Sequence, residues 1–135
     1  MLRLTPALLL ALGIAGSALA QPRASERSTY EVSYQSVADD CAGQGMTLAR
    51  GQVTLRQTGE QIELEVAGAG TLSGTRGAQG RFKAQGKGAL RGDLESRLSV
   101  SGRADGQIQM IFIAEFYRGK KPVCTQSWSG QGRRK

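Results

Sequence analysis

The chain is 135 residues long, with 18 Lys and Arg against 11 Asp and Glu, for a formal charge of +7. It contains no His, which removes the commonest general base and metal ligand, and no Asn, which excludes N-linked glycosylation acceptors. Aromatic residues make up 5% of the chain while Gly numbers 19, so a core has to be assembled from small pieces joined by many turns or bulges.

Residues 1–20 read as a secretory signal peptide. Arg3 supplies the positive start, Leu8–Ala15 the apolar run, and Ala18 and Ala20 the small-residue cleavage pattern before Gln21. The run is shorter than the roughly 18 apolar residues a membrane span needs, and nothing later approaches that length. No Cys follows the run, so the usual attachment point of a bacterial lipid anchor is missing. The expectation is an exported chain, periplasmic or secreted. The Gly-, Ala- and Arg-rich composition without Asn points to a GC-rich bacterial source. Within it, residues 21–28 read as a flexible leader, 29–130 as one all-β domain and 131–135 as a basic tail.

Thr29–Gln35 alternates, with Tyr30, Val32 and Tyr34 on one face, and predicts a half-buried strand. Asp39–Gly45 is a loop holding Cys41. Met46–Gln57 predicts one strand, or two joined at Gly51. Thr58–Glu60 is a turn and Gln61–Val66 the return strand, with Ile62, Leu64 and Val66 inward. Thr71–Thr75, Gly80–Gln85, Gly88–Leu94 and Ser96–Ser101 each predict a short strand. An irregular excursion competes over this stretch, and Ala89–Leu98 has a helical composition interrupted by Gly92. Ile108–Tyr117 is the strongest strand; Ile108, Met110, Phe112, Ala114 and Phe116 share one face, and Ile111 and Ile113 make the other partly apolar. A strand covered on both sides, or one at an intermolecular contact, has this pattern. Val123–Ser129 is the last strand.

Seven to nine short strands with short connections predict an all-β antiparallel meander, closed or strongly curled into a small barrel; a two-sheet sandwich is the alternative. Cys41 and Cys124 are expected to form a disulfide tying the first strand to the last. A loop of that size is worth at most roughly 4.5 kcal/mol in chain entropy. The two cysteines lack the spacing of a metal site or a redox pair.

No residue set predicts catalysis. No His is present to activate a Ser or Thr. Asp39 and Asp40, Glu63 and Glu65, and Asp93 and Glu95 are paired carboxylates of the kind exposed loops and strand faces carry routinely; no cofactor or metal site is implied. The basic residues carry more weight. Between residues 76 and 103 seven Lys and Arg face two acids. Arg81, Lys83, Lys87 and Arg91 are the candidate anion-binding set, suited to lipopolysaccharide phosphates, acidic envelope polymers or an acidic protein. Charge for solubility explains the same residues without a ligand. Aromatics free to stack bases are too few for a nucleic-acid signal. If the barrel is hollow, Tyr30, Tyr34, Phe112, Phe116 and Trp128 would line an apolar ligand site; a packed core accounts for the same five. The expected function is therefore a non-catalytic envelope or periplasmic binding module acting through a basic or partly apolar surface. The alternatives are an apolar-ligand carrier and, least supported, a secreted enzyme.

Overall fold

Alternation of apolar and polar residues with period two is the strongest local signal in this chain, and strands form where it is cleanest. The computed structural model describes residues 25–135. In Gln61–Val66, Ile62, Leu64 and Val66 are buried and Gln61, Glu63 and Glu65 are exposed. The same rule places Ile108, Met110, Phe112, Ala114 and Phe116 inside. The described residues form eight strands: β1 (Glu26–Asp39), β2 (Arg50–Thr58), β3 (Gln61–Val66), β4 (Gly70–Arg76), β5 (Arg81–Lys87), β6 (Leu94–Ala104), β7 (Gln107–Arg118) and β8 (Lys121–Arg134). Each pairs antiparallel with the next, and β8 pairs with β1, so the sheet closes into an up-and-down barrel. The closed barrel is thus the fold, and the two-sheet sandwich is not. One 3-10 turn, Ala78–Gly80, joins β4 to β5, and no α-helix occurs among the described residues.

Several boundaries differ from the sequence expectation. The expected signal peptide, residues 1–20, lies outside the described residues, as does half of the leader. The rest of that leader is not free: Glu26, Arg27 and Ser28 pair with Gln57, Arg56 and Leu55. The basic tail is also strand, with Arg133 opposite Gln107 on one side and Glu31 on the other. Closure is the reason, because it gives β8 a neighbour on both edges. Gly88–Leu94 is a loop rather than a strand, tipped by a tight Arg91–Leu94 turn in which Gly92 has φ +62. Helix over Ala89–Leu98 does not form, since Leu94, Ser96 and Leu98 alternate into the core of β6. Met46–Ala49, expected in a strand, belongs to the β1–β2 connection.

Inward-facing glycines give the small barrel its curvature. Gly102 on β6 faces inward, and a Cβ there would collide with the Gln109 carbonyl oxygen and the Met110 backbone of β7. Gly132 on β8 does the same toward the Glu31 carbonyl of β1. Removing the side chain at these points lets adjacent backbones approach and the sheet bend sharply. Two bulges add to the bend. Val37 is the extra residue where β1 meets β8, and Val123 the extra residue where β8 meets β7. Their bulge positions explain why these two valines are exposed.

The interior is filled. Tyr30, Phe112, Phe116 and Trp128 are buried, with the Phe112 and Trp128 rings 5.7 Å apart and tilted by 50°. One end of the barrel is stopped by the β1–β2 connection. Met46 is buried there, and the Gln126 side chain holds both its backbone groups: Met46 N–H donates to Oε1 at 2.7 Å, and Nε2 donates to Met46 O at 3.0 Å. The Cys41–Cys124 disulfide fastens this stopper to β8, as expected. At the opposite end Arg76 follows Leu72 and Gly74 in pointing inward, donating to Gln57 Oε1 and to the Ala104 carbonyl. Tyr30 Oη donates to the Asp105 carbonyl at 2.7 Å.

Two variants test this construction. Cys124→Ser frees the stopper and is expected to lower the melting temperature of the oxidised protein by roughly 10 °C. Equal melting curves would show that Met46 and Gln126 hold the end unaided. Gly102→Ala forces β6 away from β7 and is expected to cost about 1–3 kcal/mol in denaturant titration, whereas Gly106→Ala, which opens onto free space, costs less than about 0.5 kcal/mol. Equal losses would remove the close-approach role of Gly102.

Candidate functional site

Strand pairing decides which of the scattered cations meet. Arg81, Lys83 and Lys87 occupy alternate positions on β5 and all point outward. The β5–β6 register sets Arg81 opposite Arg103 and Lys87 opposite Arg97, with Lys83 opposite Ser101. Five cations therefore share one outer face. On the far side of β5 lies β4, whose outward positions are Thr71, Ser73 and Thr75. Neither β4 nor β5 contains a carboxylate. The acidic residues Glu63 and Glu65 sit one strand further on, on the outer face of β3.

Arg91 does not join this row. Its guanidinium donates to the Gly45 carbonyl and so ties the β5–β6 loop to the stopper of the barrel. The remaining cations are dispersed as well. Arg118 pairs with Asp93 and Lys135 with Glu31, each at 2.8 Å and both exposed, so each pair contributes little to stability. The Lys135 ammonium hydrogen-bonded to Glu31 holds that carboxyl below its usual range. Arg134 donates to Ser28 Oγ.

Like charges directly opposite each other on a sheet destabilise it by roughly 0.2–1 kcal/mol per pair. The Arg81/Arg103 and Lys87/Arg97 pairs are therefore a local conflict. Each is eased sideways. Arg103 donates from Nε to the Gln79 carbonyl at 2.8 Å. Arg97 lies over the Tyr117 ring at 4.7 Å, and Tyr117 Oη donates to Glu115 at 2.6 Å. That bond to a carboxylate pushes the Tyr117 phenol up from its usual range. A third pair, Arg27/Arg56, has Glu63 facing Arg56 from β3. The β5 cations have no such neighbour on β4.

A shallow recess of about 500 Å³ opens on this face between Arg81, Lys83 and Arg103, with Phe82, Ser101 and Gln109 around it. A second, of about 310 Å³, lies toward the stopper between Lys87, Leu90, Arg97 and Tyr117. The five aromatics of the possible interior site, Tyr30, Tyr34, Phe112, Phe116 and Trp128, border neither. Asp40, Cys41 and Cys124 come together near the stopper. The two sulfurs are bonded to each other, and Asp40 accepts from the Thr125 N–H at 2.7 Å, so this cluster offers no thiolate donor set. Asp39 accepts from the Cys41 N–H and from Gln126, which holds its carboxyl below the usual range.

Sequence reasoning missed Arg97 and Arg103 as members of the candidate site, because only the register reveals that they face Lys87 and Arg81. The alternation placed Tyr34 on an inward face but said nothing of its hydroxyl. Its hydroxyl is buried without a hydrogen-bond partner among the described residues, and burial pushes its pKa up to about 12. No protein-family model matches this chain, and neither the curated proteins nor the solved structures contain a match to it.

The Tyr34 hydroxyl makes a prediction of its own. The unfolded chain ionises this group near pH 10 and the folded chain near 12, so stability is intact below pH 10 and falls as pH rises toward 12. Tyr34→Phe is expected to flatten that alkaline loss and to leave the neutral-pH melting temperature equal or higher, since an unpartnered hydroxyl is removed. A marked drop in stability of the variant at neutral pH would show that the hydroxyl has a partner.

Proposed function

We propose that this barrel is a non-catalytic binding module of the cell envelope or periplasm that holds an anionic partner on the outer face of β5 and β6. The observation that carries the reading is the alignment of Arg81, Lys83 and Lys87, on a strand without carboxylates, with Arg103 and Arg97 across one strand pair, where Glu95 and Glu115 lie only at the Arg97 end. Charge placed only for solubility is best interspersed in sign, as on β2 and β3, where Arg56 faces Glu63. A conflict between local stability and arrangement is characteristic of functional surfaces. Export supports the reading through the expected signal peptide and through the disulfide, which suits an oxidising compartment. The buried aromatic interior favours a surface over an enclosed ligand site.

The probe is heparin, titrated into residues 21–135 at several salt concentrations. Binding is expected to weaken as salt rises. Arg81→Gln/Lys83→Gln/Lys87→Gln is expected to lower affinity by at least about tenfold, while Arg27→Gln/Arg56→Gln changes it by less than about threefold. Equal weakening by the two sets would mean that net charge, not this face, holds the polyanion.

A further inference from the structure

Beyond the cations, the outer wall carries a continuous groove. The recess beside Arg81 and Arg103 shares Ser101, Gly102 and Gln109 with a second of about 290 Å³, lined also by Ile111, Ser129 and Gln131. The two are one channel that crosses the strands instead of following them. A further recess, of about 350 Å³, lies on the far side of Gln109 and Gln131, between them and Gln107 and Arg133, and is separate from the channel.

The register explains it. Arg81, Arg103, Gln109 and Gln131 lie opposite one another on β5, β6, β7 and β8, and form one bank. Lys83, Ser101, Ile111 and Ser129 form the other. Between them runs Phe82, Gly102, Met110 and Gly130, whose side chains, where present, point inward, so backbone makes the floor. Three interstrand steps of about 4.8 Å give a length of roughly 14 Å.

The chemistry of the banks is specific. No Asp or Glu lines either recess of the channel. Cations stand at the β5–β6 end, Arg81, Lys83 and Arg103. The middle offers amides and hydroxyls, Gln109, Gln131, Ser101 and Ser129, which both donate and accept hydrogen bonds. Ile111, 45% exposed, adds one apolar contact. A polyphosphate presents acceptors only and would leave the amide oxygens unmatched. A chain bearing hydroxyls between its negative charges, with apolar ring faces, matches every part of the groove.

We infer that the groove takes an acidic polysaccharide, laid across β5 to β8 with a carboxylate or sulfate on the cationic end and its hydroxyls on the Gln and Ser banks. This rests on the anion-binding reading above and adds the ligand class, direction and length.

The test uses residues 21–135 with polygalacturonate oligomers, a disaccharide and an octasaccharide, beside inorganic polyphosphate and neutral dextran. Variants are Gln109→Glu/Gln131→Glu, which places carboxylates in mid-groove, and the triple Gln variant of β5. These side chains are exposed, and unchanged melting temperatures confirm folding. The expected result is that the octasaccharide binds at least about tenfold more tightly than the disaccharide or polyphosphate, and that Gln109→Glu/Gln131→Glu removes this preference. If polyanions bind through β5 but the two oligomers bind alike, or the mid-groove variant has no effect on the octasaccharide, the groove is overturned and the cationic face stands. If dextran binds as well as the octasaccharide, the acidic ligand class is overturned. If no polyanion binds, both readings fall.

Discussion

The pairing of β1 with β8 is the constraint on which the rest depends. It joins the first described strand to the last and leaves the sheet without an exposed edge. Eight strands can close so tightly only if the backbone bends, and the bend is placed where side chains are missing. Gly130 and Gly132 face Tyr34 and Val32 across the seam, and Gly102 faces Met110 across β6 and β7. The high glycine content is thus tied to closure as well as to turns. A methyl group at several of these points has nowhere to go.

Closure also sets what the interior can hold. With eight strands the lumen is about wide enough for side chains to fill. Tyr30, Phe112, Phe116 and Trp128 take that space, Met46 stops one end and Arg76 occupies the other. A few aromatic residues suffice because a narrow cylinder leaves little volume to fill. Side chains open to a partner lie on the outer wall, where alternation sends every second residue of each strand and where register decides which of them meet.

How much of this was legible follows from which signal each part carries. Gln61–Val66 and Ile108–Tyr117 announced themselves because their inward residues are large and apolar. The end of β8 did not, since its inward positions are Gly130 and Gly132 and a strand whose inner face lacks side chains shows no alternation. The start of β1 was hidden likewise by polar residues at the barrel's rim. Gly88–Leu94 was misread because Leu90 and Leu94 suggest a strand, yet Leu90 points to solvent in the loop and only Leu94 reaches the core. For the candidate site, Arg81, Lys83 and Lys87 were visible as alternating cations on one strand. Arg97 and Arg103 were not assignable to it without the β5–β6 register. The groove was invisible for the same reason, since each of its banks draws one residue from each of four strands.

The wall that carries the groove is also the best supported part of the barrel. β6, β7 and β8 are long strands, each hydrogen-bonded on both sides, and the Phe112–Trp128 pair lies directly beneath them. Side chains on such a sheet hold their spacing without being ordered by the ligand, which reduces the entropy lost on binding. A loop-built site would have offered enclosure but not regular spacing. A ladder of side chains repeated at each strand suits a partner that is itself extended and repetitive, and the absence of carboxylates along the channel removes the repulsion that would otherwise stop an anionic chain from lying down in it. Geometry and charge thus point in the same direction, outward and across the strands.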